Sequence, residues 1–401
     1  MKKILFVLID GVADKGASTL EAAEIPNLDK LAKNGNAGLV DNQLSEHPDS
    51  TISAWLIYGY PLLDYPGRGI LEAIGSGIKP EKGNIYFRGN FATVKEIAGQ
   101  KETYTKPNLV VVDRRAGRET NGLTELARGL SRLYIEGISI EVHHTHGHRA
   151  VLVLEGKELS AEVSSCDPGE TGKKIKEIKA LAKTNKAMHT ASVLNKFGYK
   201  SYKFMQESMI NKKRVNPANY LLLRGASMYN PIKSFEDKYG LKAACVAVSE
   251  CERGIAKLAG FDVAVLKKSC TGDTKTDLVE KVNVSLKTLK DKDFVLLHIK
   301  GTDICSHDKD FNGKKGFVEK IDREVIGPLL ERLNFEETVL VVSSDHVTDV
   351  HTGMHEAGKF PFAVYTSGIK RNNVKAYDEN SCRLGPIITP DEFMEKVMNF
   401  G

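Results

Sequence analysis

The stretch VLVVSSDHVTDVHTGMH, residues 339–355, joins a strand-like run directly to a carboxylate and three imidazoles. Its first residues are apolar without alternation, which is typical of a strand buried on both faces of a parallel sheet. Asp345 and His346 follow with no turn residue between, and His351 and His355 come soon after. Because a buried strand has no structural need for so many ionisable side chains at its end, the pattern indicates a functional site.

Two further strand-like runs end in the same kinds of side chain. ILFVLI (4–9) ends in Asp10, and FVLLHI (294–299) is followed by KGTDICSHD, which contains Asp303 and His307. Helix-like segments alternate with these runs, which favours an α/β fold with a mostly parallel sheet covered by helices on both faces. Functional crevices in such sheets lie at the carboxyl ends of the strands, so we expect the three groups to meet at one edge.

The expected cluster contains more carboxylates than it can accommodate without a bound cation. A single aspartate after a strand is ordinarily a turn or cap residue. That interpretation does not explain why three separate strands are followed by the same kinds of side chain. Oxygen and nitrogen ligands of this kind suit Mn²⁺, Zn²⁺ or related divalent ions, and two neighbouring ions fit their number. His351 is interpreted as a loop residue and not as a ligand. The candidate ligands are Asp10, Asp303, His307, Asp345, His346 and His355.

The composition argues against several other classes of protein. Of 401 residues 41% are hydrophobic, and no apolar run approaches the ~20 residues that a membrane helix needs. The net charge is only +5, so we expect no nucleic-acid partner and no membrane partner, whereas a small anionic substrate fits. The six cysteines contain no CxxC pair, which argues against disulfides and structural zinc. The first apolar run is too short for a signal peptide, so we expect a cytoplasmic location. Oligomeric state is not predicted.

The middle of the chain has a different pattern. Residues 139–156 are typical of hairpin strands, residues 81–94 are expected to pair with them, and residues 173–197 are predicted to form one long amphipathic helix. We therefore predict that a smaller α+β domain interrupts the core. The predicted ranges are 1–79 with 226–401 for the metal-binding core and 80–225 for the inserted substrate-binding domain.

Ser50 is the candidate nucleophile. Ser50 and Thr51 precede ISAWLIYG (52–59), which is predicted to be helical. A hydroxyl at a helix N-terminus lies near backbone N–H groups and the positive end of the helix dipole, and both favour an anionic oxygen. From spacing alone, an ordinary helix-capping serine explains the position at least as well. Contact with a metal ion would favour loss of the hydroxyl proton and attack on phosphorus.

Taken together, the motifs resemble those of the alkaline-phosphatase superfamily. The matching elements are Asp10-Gly11 after the first strand, Ser50 before a helix ending in Ile-Tyr-Gly-Tyr, Gly-Thr-Asp-x-x-x-His at 301–307, and Ser-Asp-His at 344–346. Within that superfamily the chain resembles the archaeal type of cofactor-independent phosphoglycerate mutase, over nearly its whole length. Outside the ligand motifs the resemblance is carried by RGILEAIG (68–75), FRGNFATV (87–94), DRRAGR (113–118), GHRAVLVL (147–154), NYLLLRGAS (219–227) and RGIAKLAGFDV (253–263).

The resemblance implies an isomerase of glycolysis and gluconeogenesis that interconverts 3-phosphoglycerate and 2-phosphoglycerate through a phosphoserine on Ser50, without 2,3-bisphosphoglycerate. It implies two divalent ions, with Mn²⁺ preferred over Zn²⁺, Co²⁺ and Mg²⁺. One ion would be held by Asp303, His307 and His355, and the other by Asp10, Ser50, Asp345 and His346. The implied substrate-binding residues, several of them arginines whose planar fork suits phosphate and carboxylate, are Arg88, Asn90, Arg114, Arg118, Arg149 and Arg224. The further implied catalytic groups are Asp113, as the general base, and Arg253.

The chain departs from the family pattern in three places. The family often has Ser-Asp-Thr-Ala-His where residues 50–54 read STISA, Asp-Pro-Val-Pro where residues 358–362 read GKFPF, and a histidine that is missing from DPGETGKK (167–174). All seven implied ligands are present, so these changes bear on substrate positioning more than on metal binding. Two alternatives stay open: a metal-dependent phosphatase or phosphonate hydrolase of the same superfamily, and an inactive homologue that binds metal or phosphate. The insertion and its arginines favour the mutase.

Overall fold

The computed structural model describes residues 2–42, 49–99 and 108–400. The chain divides into two compact units. Unit 1 is discontinuous and consists of Met1–Tyr65 with Ile232–Gly401, whereas unit 2 is Pro66–Pro231. In the described ranges, no helix combines the length and the apolar character needed to cross a lipid bilayer.

Strands and helices of the described residues are numbered along the chain. The strands are β1 (Lys3–Ile9), β2 (Asn36–Asn42), β3 (Ile85–Glu96), β4 (Leu109–Asp113), β5 (Tyr134–Ile135), β6 (Ile138–His144), β7 (Arg149–Glu155), β8 (Tyr220–Met228), β9 (Ala243–Val246), β10 (Asp262–Val263), β11 (Phe294–Ile299), β12 (Thr338–Ser343), β13 (Val347–Asp349), β14 (Met354–Glu356), β15 (Gly358–Tyr365) and β16 (Ile387–Ile388). The helices are α1 (Thr19–Ala22), α2 (Pro26–Asn34), α3 (Ser50–Ile57), α4 (Arg68–Gly75), α5 (Leu123–Leu130), α6 (Asn185–Glu207), α7 (Phe235–Tyr239), α8 (Glu250–Leu258), α9 (Leu278–Thr288), α10 (Gly301–His307), α11 (Phe311–Ile321), α12 (Gly327–Arg332) and α13 (Pro390–Met398).

Unit 1 is built on one eight-stranded sheet with the order β10-β9-β11-β1-β12-β15-β2-β16. The pairs from β10 through β12 are parallel, as are β16 and β2, while β15 runs antiparallel to β12 and β2. Strands β11 and β12 are buried at every residue and β1 at all but its first, as their continuous apolar sequences require. The prediction of an α/β fold with a mostly parallel sheet is confirmed.

This topology places the carboxyl ends of three strands side by side. β1 lies between β11 and β12 and is parallel to both, with Leu8 opposite His298 on one side and Ser343 on the other. The residues that follow the three strands therefore leave the sheet at the same edge.

A buried ion pair anchors the loop that follows β1. Lys314 Nζ on α11 lies 2.7 Å from Asp14 Oδ1, and both side chains are fully buried. Lys314 also donates to the carbonyl of Thr348 on β13 at 3.0 Å, and the backbone N–H of Val350 donates to Asp14 at 2.9 Å. Because each partner satisfies the other in the interior, the pair fixes the β1 loop against the ribbon of β13 and β14.

Unit 2 is built on a second sheet with the order β4-β3-β7-β6-β5, and β8 pairs with β3. The predicted hairpin of residues 139–156 corresponds to β6 and β7, and β3 pairs with β7 as expected. Helix α4, which the sequence analysis places in the core because it precedes residue 80, belongs to this unit. A Cβ at Gly69 would lie 2.3 Å from the carbonyl oxygen of Tyr86, so only glycine allows α4 to approach β3 this closely.

The prediction of one helix over residues 173–197 is wrong. The helix there is α6, which begins at Asn185 with Thr184 as its N-cap and extends to Glu207. The preceding segment is not helical, because its backbone bonds to β4 and to the loop that follows β7: Ile175 N–H donates to Leu109 at 2.9 Å, and the Lys179 carbonyl accepts from Ser164 at 2.8 Å. Pairing across the sheet outweighs the helix propensity of the lysine- and alanine-rich sequence.

The helical segment that precedes β12 is interrupted. α11 ends at Ile321, a π-helical turn covers Asp322–Ile326, and α12 follows with Pro328 in its first turn. Proline lacks the backbone N–H that would continue the α-helical hydrogen bonds. The π-helical turn before Pro328 accommodates this interruption.

Candidate active site

The candidate ligands of unit 1 form two groups that share one histidine. One ligand atom from each of Asp303, His346 and His355 lies within 4.8 Å of the others, and the same holds for Asp10, Asp345 and His346. Four of these five residues follow β1, β11 and β12 at the common edge of the sheet, and His355 reaches it from β14. The groups thus combine residues that are far apart in the sequence.

One oxygen of Asp303 lies near His355 of the first group and also near His307, which is not a member of that group. Asp303 Oδ1 lies 3.4 Å from His307 Nε2 and 3.3 Å from His355 Nε2, and these two nitrogens are 3.2 Å apart. Four tetrahedral ligands about 2.05 Å from a common ion lie ~3.3 Å from one another, which matches these spacings. His346 stacks on His355 with ring centroids 4.1 Å apart, which brings the shared histidine against this group.

The second group contains buried polar atoms that face one another. His346 Nε2 lies 3.3 Å from Asp10 Oδ1 and 3.4 Å from Asp345 Oδ2. Within the described part of the chain, none of these three atoms has a hydrogen-bond partner, although all are shielded from solvent. Since buried polar atoms are ordinarily paired, three convergent unpaired acceptor and nitrogen atoms fit the ligand shell of a cation.

The hydrogen bond of Thr348 defines which nitrogen of His346 is available. Thr348 Oγ1 donates to Asp303 Oδ1 at 3.0 Å and lies 2.9 Å from His346 Nδ1. Its only proton is used on Asp303, so the hydroxyl accepts from His346 Nδ1–H, and the lone pair of His346 is left on Nε2. His307 is oriented likewise, because its Nδ1 lies 2.9 Å from the carbonyl oxygen of Gly353. Such outer contacts orient imidazole ligands, so the residues fit a divalent ion.

The carboxylates of the cluster have opposite electrostatic surroundings. Burial and the charge of Asp10 raise the pKa of Asp345 well above its usual value. Burial also acts to raise the pKa of Asp10, but Lys300, His298 and His346 outweigh it and hold that pKa well below the usual value. Lys300 likewise outweighs burial at Asp303 and lowers its pKa. A cation between these two adjacent carboxylates would favour the charged form of both.

Two residues of this centre are absent from the sequence analysis. Lys300 Nζ donates to Asp10 Oδ2 at 2.7 Å and to Asp303 Oδ2 at 2.9 Å. His298 lies inside β11, is fully buried, and has its Nε2 3.2 Å from Asp10 Oδ2. The position of His298 within the apolar run FVLLHI indicates a buried histidine and could have been used to find it. Nothing in the sequence distinguishes Lys300 from a surface lysine.

His351 lies apart from the two groups. Its Nε2 is 3.0 Å from the carbonyl oxygen of Ala17, and its ring packs against Phe311 with centroids 5.9 Å apart. The side chain is exposed, as expected for a loop residue.

Ser50 is the first residue of α3 and is half-buried. The N-cap is Asp49, whose carboxylate accepts from the backbone N–H of Thr51 at 2.8 Å, so Ser50 does not cap the helix. Asn42 links α3 to the segment that carries Asp345, because its amide donates to Ser53 Oγ at 2.8 Å and to the Asp345 carbonyl at 3.3 Å. Ser50 therefore lies at the dipole-positive end of a helix that is tied to the end of β12.

Arg253 lies on α8, beside α3. Its neighbour Glu252 is buried and accepts a hydrogen bond of 2.6 Å from the Tyr58 hydroxyl, which follows α3. Burial raises the pKa of Tyr58 and the carboxylate of Glu252 raises it further, so the phenol stays protonated and donates. Arg253 itself is half-buried.

Four of the proposed substrate-binding residues share one face of the sheet in unit 2. Arg88 and Asn90 are two residues apart on β3 and therefore point to the same side. Arg224 on β8 is directly opposite Arg88, and Arg149 on β7 is directly opposite Asn90. The register of three strands, which the sequence does not specify, thus brings these side chains together.

Positive charge accumulates on this face. Burial, together with Arg68, Arg224 and Arg149, lowers the pKa of Arg88 to about 9, although Glu72 lies 3.0 Å from its Nε. A buried guanidinium among other cations is stabilised when an anion binds beside it.

Arg114 and Arg224 converge on one carboxylate. Arg114 Nη2 lies 2.6 Å and Arg224 Nη1 3.0 Å from Asp167 Oδ2, and Asp167 is buried. Asp113 has a different environment, because its two oxygens accept from the backbone N–H groups of Arg115 at 2.8 Å and Gly117 at 2.7 Å. Asp113 thus stabilises the tight loop that carries Arg114 and Arg118.

Comparison with known proteins identifies a family for the chain. Residues 32–211 match the family model of 2,3-bisphosphoglycerate-independent phosphoglycerate mutase. A protein of that name from Methanopyrus kandleri is 38% identical over 398 residues, which cover 96% of this chain and 92% of the relative. A namesake from Archaeoglobus fulgidus is 37% identical over 385 residues, which cover 94% and 92%. This chain belongs to the 2,3-bisphosphoglycerate-independent phosphoglycerate mutase family.

Two solved structures are similar to the chain over its whole length, and one of them is described as a phosphoglycerate mutase. A cofactor-independent phosphoglycerate mutase from Thermoplasma acidophilum is 30% identical with a TM-score of 0.67, and the match covers 100% of this chain and 99% of that one. A protein from Pyrococcus horikoshii has a TM-score of 0.80 at 26% identity and covers 100% and 98%. The resemblance inferred from the motifs is confirmed.

One departure from the phosphoglycerate mutase pattern has a structural counterpart. Thr51 stands where the family often has an aspartate. Its hydroxyl donates to the carboxylate of Asp49 and lies 2.5 Å from the Tyr65 hydroxyl. A carboxylate is therefore present beside Ser50 on the preceding residue, and the segment 43–48 before it lies outside the described residues.

Proposed function

We propose that this protein interconverts 3-phosphoglycerate and 2-phosphoglycerate without 2,3-bisphosphoglycerate. Its relatives are named 2,3-bisphosphoglycerate-independent phosphoglycerate mutases, which supports the proposal. The observation that carries the proposal is the convergence of Asp10 Oδ1, Asp345 Oδ2 and His346 Nε2, all buried and lacking hydrogen bonds within the described residues. Such a shell has no role in a protein that only binds sugar phosphates through arginine. It supports phosphoryl transfer on a metal centre.

Two divalent ions, with Mn²⁺ preferred, are proposed for this centre. Asp303, His307 and His355 would hold one, and Asp10, Ser50, Asp345 and His346 the other. When bound, the ions would neutralise charge on the phosphoryl oxygens and favour the deprotonated Ser50 hydroxyl. His346 lies close to the other members of both groups, which supports two neighbouring ion sites.

Ser50 is the proposed nucleophile. It attacks the phosphorus atom of the bound ester in line with the bond to the departing glycerate oxygen, so a phosphoserine forms and glycerate is released from the phosphoryl group. The N-terminal end of α3 favours negative charge at this position. Arg253, beside α3, is proposed to interact with the transferred group through its planar guanidinium.

The glycerate is held by residues of unit 2. Arg88, Arg149 and Arg224 offer paired N–H donors for its carboxylate, and Asn90 offers an amide to its hydroxyls. Asn90 Oδ1 is buried and has no hydrogen-bond partner among the described residues, which supports a role in accepting from a bound hydroxyl. Arg114 and Arg118 complete the proposed set. While held there, glycerate re-orients and its other hydroxyl takes the phosphoryl group from Ser50.

The second transfer requires a base for the attacking hydroxyl. Asp113 remains the prediction from the sequence, but its hydrogen bonds with two backbone N–H groups support a structural role in the loop. Exclusion of water is required throughout, because water would otherwise hydrolyse the phosphoserine and turn the mutase into a phosphatase.

The proposal is tested by incubating the Mn²⁺-loaded protein with 3-phosphoglycerate in the absence of 2,3-bisphosphoglycerate and detecting 2-phosphoglycerate with enolase. Product formation at a rate proportional to protein concentration is the expected result. Absence of product with a protein that binds Mn²⁺ would contradict the proposal.

Replacing Arg224 by methionine is expected to lower kcat/KM for 3-phosphoglycerate by ~10–100-fold, mainly through KM, because hydrogen bonds to charged groups contribute ~1.5–3 kcal/mol. Arg132→Met, at an exposed position of the same unit, is the matched control and leaves kcat/KM unchanged. Equal effects of the two substitutions would remove Arg224 from the substrate site.

A further inference from the structure

The two carboxylates of Asp10 and Asp303 each divide their oxygens between different partners. The Oδ1 atoms face histidines: Asp10 Oδ1 faces His346 at 3.3 Å, and Asp303 Oδ1 faces His355 at 3.3 Å. The Oδ2 atoms both face Lys300, at 2.7 and 2.9 Å. Because one residue comes from each ligand group, Lys300 connects the two groups through the oxygens that do not face His346 and His355.

Both carboxylates need a counter-charge. Their side chains are only 4% and 5% exposed, and burial of an unpaired carboxylate is costly enough that such groups are ordinarily paired or neutral. His298 is the other side chain near Asp10 Oδ2, at 3.2 Å, but it does not contact Asp303 within the described contacts. Lys300 is thus the cation common to both.

We infer that Lys300 is a positioning residue, which holds one carboxylate of each ligand group in place before any ion binds and so forms the metal centre in advance. The inference rests on the proposed function, because it presumes that metal binds between these groups. The Oδ1 atoms stay available to an ion while Lys300 occupies the Oδ2 atoms, so the lysine does not have to leave when the ion enters.

This role predicts a stability effect that depends on metal. In the metal-free protein, Lys300→Met leaves two buried carboxylates without their common cation, which lowers the melting temperature. In the loaded protein, the ions neutralise the same carboxylates, so the loss of Lys300 matters less. A lysine that only contributed packing would lower both melting temperatures equally.

The experiment measures melting temperatures of the full-length wild type and variants in chelator and in saturating Mn²⁺. We expect Lys300→Met to melt about 4 °C lower than the wild type in chelator and within ~1 °C of it in Mn²⁺. Lys300→Arg keeps the charge and is expected to restore most of the metal-free stability. The matched control is Lys315→Met, which removes an ion pair with Glu319 on α11, and whose effect is expected to be equal in both conditions.

The outcomes separate the inference from the function on which it rests. If Mn²⁺ raises the melting temperature of the wild type but not by a larger amount in Lys300→Met, the positioning role is wrong and the metal centre stands. A drop of equal size in both conditions, or no drop in either, has the same meaning. If Mn²⁺ has no effect on the wild type, the proposed metal centre itself is wrong, and the role of Lys300 with it.

Discussion

The Ser50→Ala protein is expected to fold and bind Mn²⁺ like the wild type, but to lose phosphoryl transfer, with kcat lower by at least ~10⁴-fold, as for other enzymes that lose their nucleophile. The reason is that alanine offers no oxygen to accept the phosphoryl group, while α3 keeps its N-cap because the cap is Asp49. Turnover in the enolase-coupled assay and the mass of the Ser50 peptide after brief exposure to substrate measure the effect.

The control for Ser50→Ala is a serine that only caps a helix, because Ser50 could also be interpreted in that way from the sequence. Ser234 does cap a helix of unit 1, since its Oγ accepts from the Asp237 N–H at 3.0 Å. Ser234→Ala is expected to lower stability by ~1 kcal/mol and to leave kcat unchanged. If Ser50→Ala behaved like Ser234→Ala, the phosphoserine route would be excluded.

The His346→Ala protein is expected to lose Mn²⁺ affinity by at least ~100-fold, more than removal of an outer contact causes, and to lose activity with it. His346 belongs to both ligand groups, and its Nε2 lies within 3.4 Å of Asp10 and Asp345. Removing it also leaves those two buried carboxylates facing each other without a nitrogen between them. Metal content after dialysis and titration calorimetry with Mn²⁺ measure the effect.

His351→Ala is the matched control for that substitution. His351 is exposed and bonded to the Ala17 carbonyl, outside the two groups. We expect its removal to change neither Mn²⁺ affinity nor turnover. Unchanged Mn²⁺ affinity in His346→Ala would show that the proposed centre is not where the metal binds.

The sequence was sufficient to predict that the candidate ligands lie close together, because each of them follows a strand of the same parallel sheet. A run of buried apolar residues that is followed closely by Asp10, Asp303 or Asp345 indicates a strand of a parallel sheet. Neighbouring parallel strands have their carboxyl ends at the same edge of the sheet. The sequence does not show which strands are neighbours in the sheet. Only the placement of β1 between β11 and β12 shows that Asp10 stands between the other two strand ends.

The features that were missed depend on contacts between distant segments. Lys300 contacts Asp10, which is 290 residues away in the sequence, and no local pattern indicates that contact. The common face of Arg88, Arg149 and Arg224 depends on the register of three strands. The segment before α6 has helix-forming residues, yet its backbone bonds to β4 and to the loop after β7 instead of forming a helix. In each case tertiary pairing outweighs local preference.

The measurement that tests the central claim most directly follows both possible products in one tube. The protein is stripped with chelator, given 3-phosphoglycerate without 2,3-bisphosphoglycerate, and then given Mn²⁺, while enolase reports 2-phosphoglycerate and a second assay reports free phosphate. We predict no turnover before Mn²⁺ and, after it, 2-phosphoglycerate with little free phosphate. Free phosphate without 2-phosphoglycerate would contradict the account and identify a metal-dependent phosphatase instead.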